Sequence, residues 1–355
     1  YGLYYAPDPS SQIACTIGGN VAENAGGVHC LKYGLTVQNI ESIKIMTIDG
    51  DELVFSRNDG GLGLLALMTG SEGLLGIITE ITVKLTKKPE LAKLVMAGFD
   101  SVRDCADSVA SIIRHGIIPA GLEMMDEFAI KASEEFAKPG YPLGSKALLL
   151  CELDGSEESV IPDVDTVVSL LSKASSIRVS KSEEERLLLW KGRKAAFPAV
   201  GRISPDYYCM DGTIPKRYLA DVLEKINALS KHYSLRVANV FHAGDGNLHP
   251  LILYDAGVPG ELEKTEEFGN EILKLCIEVG GSITGEHGVG VEKLDAMCFQ
   301  YSDAELDVFH QIKAAFDPQS LLNPGKAVPS LHRCAELGNM HVHHGNLPHP
   351  ELERF

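Results

Sequence analysis

The sequence has no run of eighteen apolar residues, about the least that a helix needs to cross a bilayer. It is also poor in basic residues, with 32 lysines and arginines against 49 aspartates and glutamates and a net charge of −17. These two deficits argue against a transmembrane segment and against nucleic acid or an anionic membrane surface as the main partner. The 355 residues, 45% of them hydrophobic, are enough for two domains with buried cores.

Cysteine pairs are missing as well, because none of the eight cysteines belongs to a Cys-x-x-Cys motif. Iron–sulfur ligation within this chain is therefore disfavoured, and we expect reduced thiols in a cytoplasmic protein. The opening residues, Tyr-Gly-Leu-Tyr-Tyr, include no initiator methionine, basic segment or apolar leader. We expect such a start from a cut inside a longer chain.

A polar, glycine-containing segment at residues 242–250 reads His-Ala-Gly-Asp-Gly-Asn-Leu-His-Pro. Apolar runs precede and follow it, so the pattern predicts a strand, a tight turn and a second strand. A helix would also place His242 and His249 on one face, but the two glycines between them disfavour a helix. The predicted hairpin brings both imidazoles to the same turn.

A carboxylate from a later segment, Glu-His-Gly at 286–288, can complete a ligand set. His242, His249 and Glu286 would form a two-histidine, one-carboxylate site, which suits divalent zinc, iron or manganese. Two ordinary loop histidines are the alternative. Asp245 and Asn247 in the same turn favour the site, because a plain hairpin needs only Asn-Gly.

Two segments, 18–27 and 70–77, are rich in small residues. Their backbone can approach a flat ligand and donate amides to it, although a flexible glycine-rich loop fits the composition of the first segment equally well. No Gly-Lys-Ser/Thr follows that first segment and it does not read Gly-x-Gly-x-x-Gly, so a Walker loop and a Rossmann dinucleotide site are disfavoured.

Helix and strand patterns alternate from residue 91 to residue 180, after a predicted hairpin at 38–55. Such alternation predicts an α+β fold of the ferredoxin type with an antiparallel sheet, and Pro89 is the first expected domain boundary. Arginine clamps carboxylates bidentately, so Arg193 is the first candidate for a substrate carboxylate and Arg202 the second. A solvated basic patch is the alternative for both.

Five motifs, in order along the chain, carry a resemblance to a known family. They are Gly18-Gly19-Asn20 with Asn24-Ala25-Gly26-Gly27, Gly70-Ser71-Glu72-Gly73 with Leu75-Gly76-Ile77, the segment 242–249, Gly285-Glu286-His287-Gly288, and Leu322-Asn323-Pro324-Gly325-Lys326. Together they resemble the FAD-linked 2-hydroxy-acid oxidases of the vanillyl-alcohol-oxidase flavin fold. Residues 197–212 and 341–355 resemble the glycolate-oxidising members of that family.

The resemblance implies four parts. These are the distal part of an FAD-binding domain at 1–89, a ferredoxin-like α+β substrate or cap domain at 90–300, a C-terminal helix returning to the flavin at 301–330, and a tail at 331–355. The first half of the flavin domain would lie before Tyr1. The residues implied to line FAD are Gly18, Gly19, Asn20, Asn24, Gly26, Gly27, Ser71, Glu72, Gly73, Gly76, Ile77 and Asn323. The tail contains His341, His343 and His344, for which we favour a subunit contact over a metal site.

The implied reaction is the oxidation of a small 2-hydroxy acid, glycolate to glyoxylate, by hydride transfer to flavin. His287 is the expected base, because the pKa of an imidazole lies near working pH, and Asp245 and Asn247 are expected to hold the hairpin. D-lactate and D-2-hydroxyglutarate are alternative substrates, and a metal-dependent hydrolase or a non-catalytic subunit are alternatives of other classes. Companion flavin-binding and iron–sulfur subunits at the inner membrane face are also implied by the resemblance.

Overall fold

The structure is a computed structural model that describes residues 1–329. The predicted tail at 331–355 lies outside these residues. The strands are β1 Leu3–Tyr4, β2 Ile40–Met46, β3 Glu52–Ser56, β4 Ile77–Val83, β5 Thr86–Lys87, β6 Leu91–Phe99, β7 Gly121–Asp126, β8 Ala147–Gly155, β9 Ser176–Val179, β10 Asp206–Cys209, β11 Arg236–His242 and β12 Asn247–Tyr254.

The α-helices alternate with these strands over most of the chain. They are α1 Ile17–Glu23, α2 Cys30–Tyr33, α3 Leu64–Met68, α4 Val102–Arg114, α5 Glu127–Ala137, α6 Glu157–Leu170, α7 Glu183–Lys194, α8 Ala196–Val200, α9 Leu219–Tyr233, α10 Glu261–Glu278, α11 Leu294–Gln300 and α12 Asp303–Phe316. Two short 3-10 helices lie at Thr36–Asn39 and Lys216–Tyr218.

The larger part of the fold, residues 90–300, is built on a seven-stranded sheet and is called the large unit below. Its strand order is β10-β12-β11-β7-β8-β6-β9, and each neighbouring pair is antiparallel. Side chains of β8 alternate between two cores, with Leu149 and Cys151 in one and Leu148 and Leu150 in the other. Helices α4, α6, α9 and α10 cover the first face and α5, α7 and α8 the second, which explains why these strands are apolar on both sides.

Local sequence signals position the helices of the large unit. Ser101, Asp126 and Ser182 each accept a hydrogen bond from a backbone N–H three residues ahead, at the starts of α4, α5 and α7. Helix α7 also has three glutamates in its first turn and three basic residues in its last, which suits the helix dipole. These helices and the strands between them confirm the predicted alternation.

The small unit comprises residues 1–89 together with α12 and the segment that follows it. Strands β3-β2-β4 form an antiparallel sheet whose core includes Ile43 and Ile45 of β2 and Met68 of α3. Ile312 and Phe316 of α12 pack against the same core, so the chain returns to this unit after crossing the large one. The predicted hairpin at 38–55 is present as β2 and β3.

The flexible-loop alternative does not describe all of the first glycine-rich segment. Residues Ile17–Glu23 form a helix although they include Gly18 and Gly19. The Thr16 hydroxyl accepts a hydrogen bond from the Gly19 N–H at 2.9 Å, and Asn24 ends the helix in a left-handed conformation with φ of 50°. A good cap at each end thus outweighs the low helix propensity of the two glycines.

No helix within residues 1–329 is long and apolar enough to span a bilayer.

Candidate active site

The predicted hairpin is formed by β11 and β12. His242 pairs with Asn247 and Val240 pairs with His249, so the side chains of residues 242, 247 and 249 share one face of the sheet. Gly246 closes the turn with φ of +86°, and a Cβ there would lie 2.2 Å from the carbonyl oxygen of Ile214. Only glycine fits this position, so the turn fixes the register of both histidines.

The structure brings together the three predicted metal ligands. Glu286 Oε1 lies 3.2 Å from His242 Nε2 and 3.1 Å from His249 Nε2, and the two imidazole rings are 5.0 Å apart. Donor atoms bonded tetrahedrally to one zinc ion at about 2.0–2.1 Å would lie about 3.3 Å apart. The spacing of these side chains therefore suits a common cation.

His249 gives the strongest sign that a cation belongs here. Its side chain is 2% exposed, and neither ring nitrogen makes a hydrogen bond to the described residues. The 3.1 Å contact with Glu286 is not aligned as a hydrogen bond. Buried polar atoms are almost always satisfied, so a lone pair left without a donor in this position fits a metal ligand.

Asp211 offers a second possible ligand set, with His249 and His287, but its oxygens are already used. The carboxylate accepts hydrogen bonds from the backbone N–H groups of residues 285, 286 and 287, from the Thr284 hydroxyl and from Lys293 Nζ. Burial would raise the pKa of Asp211, but nearby Lys293, His287 and His249 lower it to about 2. Asp211 therefore holds the loop that carries Glu286, and the set with His242 fits a metal better.

Glu123 of β7 stands directly opposite His242 in the sheet. Its Oε1 lies 2.7 Å from His242 Nδ1, and Arg193 contacts its Oε2 through Nε at 2.8 Å and Nη2 at 2.6 Å. Burial would raise the pKa of Glu123, but His242 and Arg193 reverse this and lower it. Burial would lower the pKa of His242, but a charged Glu123, which accepts the Nδ1 proton of that imidazole, and Glu286 raise it. A metal at this position would take the place of the Nε2 proton, with Nδ1 still bonded to Glu123.

The two arginines predicted to bind a substrate carboxylate have different surroundings. Arg193 is 1% exposed and its guanidinium is paired with Glu123 behind His242. Arg202 is exposed, and its guanidinium covers the ring of Phe136 at 4.4 Å, so the structure places it outside the histidine cluster. The cation–aromatic contact holds the Arg202 guanidinium against the Phe136 ring.

His287, the predicted base, lies at the rim of the cluster. Its ring stacks on His249 with centroids 5.0 Å apart, its Nε2 is 3.9 Å from Glu286 Oε1, and its side chain is 43% exposed. Burial of the ring lowers the pKa of His287 below its ordinary value, against the opposing effect of Asp211 and Glu286. The imidazole is therefore neutral near pH 7 and able to take a proton.

A cavity of about 130 Å³ opens between the two units at the cluster. It can hold several non-hydrogen atoms, since one water molecule needs only about 10–15 Å³ by a comparable measure. The small unit contributes Gly26, Gly27, Cys30 and Leu35, and the large unit contributes Thr213, His242, Asp245, Asn247, Gly285 and Glu286. A Cβ at Gly26 would lie 2.6 Å from Glu286 Oε2, so only glycine allows this approach.

The other residues expected to line FAD fall into three groups. Ser71, Glu72 and Gly73 come together with Asn323, whose Nδ2 donates to the Glu72 carbonyl oxygen at 2.5 Å. Gly18, Gly19 and Asn20 belong to α1, where Asn20 is buried, and Asn24 accepts a hydrogen bond from the Val37 N–H. Gly76 packs on Ile45, and Ile77 opens β4 with 57% of its surface exposed.

The sequence analysis did not identify Glu123, Lys293 or Asp211 as residues of the site. A signal existed for Glu123, a lone charge inside the apolar run 121–125, and for Asp211, an acid between Met210 and Gly212 in an apolar and aromatic stretch. Both are buried in the structure. A buried charge needs a partner, so such positions mark functional or structural ion pairs.

Similarity to known proteins places the chain in a class of flavin-linked oxidoreductases. The family described as FAD linked oxidases, C-terminal domain, matches residues 88–327, and the FAD binding domain family matches residues 1–56. The chain therefore belongs to the FAD-linked oxidases.

Among individual proteins, the chain is 61% identical over 360 residues to glycolate oxidase subunit GlcD of Escherichia coli strain K12, covering 100% of this chain and 72% of that protein. It is 39% identical to glycolate oxidase subunit GlcD of Bacillus subtilis strain 168, covering 92% and 70%. It is 32% identical to D-lactate dehydrogenase of Anaerostipes hadrus, covering 92% and 71%.

Solved structures share the fold at lower identity. The structure of p-cresol methylhydroxylase with substrate bound matches with a TM-score of 0.73 at 17% identity, covering 93% of this chain and 72% of that chain. Alkyldihydroxyacetonephosphate synthase matches with a TM-score of 0.68 at 18% identity, and the 91% of this chain that aligns spans only 61% of that chain.

Proposed function

We propose that this protein oxidises a small 2-hydroxy acid, glycolate first, to the corresponding 2-oxo acid. The observation that carries the proposal is the convergence of His242, His249 and Glu286 beside His287, at a cavity shared with Gly26 and Gly27. The identity of 61% to glycolate oxidase subunits supports glycolate as the substrate. D-lactate is the second candidate, because relatives of lower identity are named D-lactate dehydrogenases.

Two bound groups are part of this proposal. The small unit would hold FAD through the backbone at Gly26 and Gly27, the segment 71–73 and Asn323, and His242, His249 and Glu286 would hold a divalent zinc, iron or manganese ion. When bound, FAD accepts the hydride, and the metal lowers the pKa of the substrate hydroxyl. The division into a flavin part at 1–89, a cap at 90–300 and a returning helix at 301–330 belongs to the same proposal.

The residues of this chain then have separate tasks. His287 Nε2 takes the proton of the substrate hydroxyl, and the hydride leaves from the carbon that bears this hydroxyl. The hydroxy acid thereby loses two electrons and two hydrogens. Glu123 keeps His242 in the tautomer that binds metal. Arg193 neutralises Glu123, and Nη1, the nitrogen outside that pair, is the candidate partner of the substrate carboxylate.

We also propose that the protein works in the cytoplasm with companion flavin-binding and iron–sulfur subunits. The two glycolate oxidase relatives are named as subunits, which supports an assembly. The family match leaves the metal-dependent hydrolase without support, because that chemistry needs no FAD-linked domain.

Anaerobic mixing of the full-length protein with glycolate, D-lactate or D-2-hydroxyglutarate tests the proposal. We expect glycolate to bleach the visible flavin absorbance fastest, and removal of the divalent metal by a chelator to slow bleaching. Protein that keeps its flavin colour with all three acids would contradict the proposed function.

A further inference from the structure

The loop at residues 284–290, which carries Glu286 and His287, is held by two carboxylates from different units. Asp211 of the large unit binds its first half, as described above. Glu72 of the small unit binds its second half, where Oε1 accepts the Val289 N–H and Oε2 accepts the Gly290 N–H, each at 2.7 Å. The resemblance implied only that Glu72 lines FAD, so this contact is an additional property of the residue.

We propose that Glu72 is a positioning residue that holds His287 in place relative to the flavin. The proposal rests on the proposed function, because it assumes that His287 takes the substrate proton. Glu72 touches neither ring nitrogen of His287 and acts through the backbone of the loop.

Glu72 is well fixed for this task. Its backbone has φ of +51°, its N–H donates to the Ala22 carbonyl at 2.8 Å, and its own carbonyl accepts from Asn323 Nδ2. The side chain therefore extends from a segment tied both to α1 and to the part of the chain after α12. These are the segments that the resemblance assigns to the flavin site, so the carboxylate transmits their position to the loop.

The fit between Glu72 and the loop is close at Gly288. This residue has φ of +80°, and a Cβ there would lie 2.8 Å from Glu72 Oε1 and 2.5 Å from Glu23 Oε2. Lys293 Nζ donates to the Gly288 carbonyl at 3.0 Å and thereby fixes the opposite side of the same peptide. A side chain at residue 288 would push the loop away from Glu72 while leaving the carboxylate itself intact.

Replacing Asp211 and replacing Glu72 should impair different parts of the loop. Asp211 holds the amides of residues 285–287, so Glu286 stays in the metal site when Glu72 is replaced. Without Glu72, the amides of Val289 and Gly290 lose their acceptors and the second half of the loop gains freedom. Misplacing a catalytic group by about 1 Å can cost roughly a hundredfold in rate, so the expected loss is in turnover and not in metal retention.

The experiment compares Glu72→Gln with Glu80→Gln, a control on β4 whose side chain is exposed and pairs with Lys44. In the full-length protein, Glu72→Gln should lower the limiting rate of flavin bleaching by glycolate roughly tenfold to a hundredfold. The glycolate concentration for half-maximal rate, the metal content and the flavin content should stay within about twofold of the parent. Gly288→Ala should reproduce the effect from the loop side.

Hydrogen exchange gives a readout that does not depend on turnover. Peptides covering residues 285–293 should exchange faster in Glu72→Gln, whereas peptides from β8 should not change. A bleaching rate within twofold of the parent would overturn the proposal, and so would a rate that falls only in proportion to lost metal or flavin. If no hydroxy acid bleaches the parent protein, the proposed function fails, and unchanged exchange at 285–293 would separately remove the contact with Glu72.

Discussion

Two clusters of histidine and carboxylate lie on the same face of the seven-stranded sheet and differ in how one imidazole of each is hydrogen-bonded. In the proposed metal cluster of His242, His249 and Glu286, called the metal cluster below, neither ring nitrogen of His249 has a hydrogen-bond partner among the described residues. In the second cluster, His29 has both nitrogens occupied, Nδ1 by Asp8 at 2.8 Å and Nε2 by Glu152 at 3.1 Å. Residue types alone do not separate the two clusters, whereas the hydrogen bonding of the His249 and His29 rings does.

Glu152, in the cluster at His29, has partners besides the imidazole. Glu152 also accepts hydrogen bonds from Arg186 at 2.6 Å and from the indole N–H of Trp190. Burial would lower the pKa of His29, but hydrogen bonds from the ring to Asp8 and Glu152 raise it to about 10. His29 is therefore a cation at pH 7 and joins the small unit to the large one. A metal bound by His242 and His249 would instead need a free lone pair on each imidazole.

Removing both histidine ligands should have the largest effect. In His242→Ala combined with His249→Ala, we expect elemental analysis to find no divalent metal, because Glu286 alone cannot hold the ion. His115→Ala, an exposed histidine at the end of α4, is the matched control and should retain the metal of the parent. Stoichiometric metal in the double variant would remove the proposed site.

Replacing His287 tests its proposed role as the base. His287→Ala should lower the rate of flavin bleaching by roughly a hundredfold, the usual size of an acid–base contribution, with metal content unchanged. Stopped-flow absorbance under nitrogen measures the rate. Bleaching as fast as in the parent would show that another group takes the proton.

Replacing the carboxylate behind His242 should have a smaller effect on the same ion. Glu123→Gln keeps the shape but loses the charge that orders the imidazole, so metal affinity should fall roughly tenfold to a hundredfold. Competition with a chelator measures the dissociation constant, and exposed Glu90→Gln serves as the control. Equal affinity in both variants would mean that Glu123 does not tune the ligand.

A change in the cluster at His29 should lower the stability of the fold and should not change the metal content. His29→Gln should lower the free energy of unfolding by about 2 kcal/mol near pH 6, because it removes the cation that Asp8 and Glu152 share. The folded pKa is raised, so the contribution of His29 is complete below about pH 6.5 and is lost as the pH rises toward 10.

Chemical denaturation at pH 6 and pH 9.5 checks this pH dependence. The difference between parent and His29→Gln should be large at the lower pH and small at the higher. A difference that is constant across this range would contradict a protonated His29, and a change in metal content would contradict the separation of the two clusters.

Local sequence was enough to predict the hairpin and its two histidines, because apolar runs flank a turn rich in glycine and aspartate. It also identified Glu286, 44 residues from His242. It could not supply Glu123, which meets His242 across 119 residues of sequence only because β11 pairs with β7 in the sheet. Strand order depends on packing of the whole sheet, which no local pattern encodes.

Helix α1 is a place where the local sequence left two structures open. Its caps, Thr16 and Asn24, were visible in the sequence, but two adjacent glycines suggested a loop. For Arg202, the residue type suggested carboxylate binding, and the structure adds a contact of its guanidinium with the Phe136 ring that the sequence did not indicate. At α1 the capping residues, and at Arg202 the Phe136 ring, determine a conformation that the residue types alone leave open.

The tight turn at Gly246 fixes which face of the sheet His249 points to in the β11–β12 hairpin. Side chains alternate across a strand, so shifting β12 by one residue would point His249 at the opposite helical layer, while a shift of two would return an imidazole position to the same side. Because the Ile214 carbonyl leaves no space for a bulge at Gly246, an inserted residue must be absorbed as a shift. Laboratory changes to this turn should therefore tolerate even numbers of residues better than odd ones.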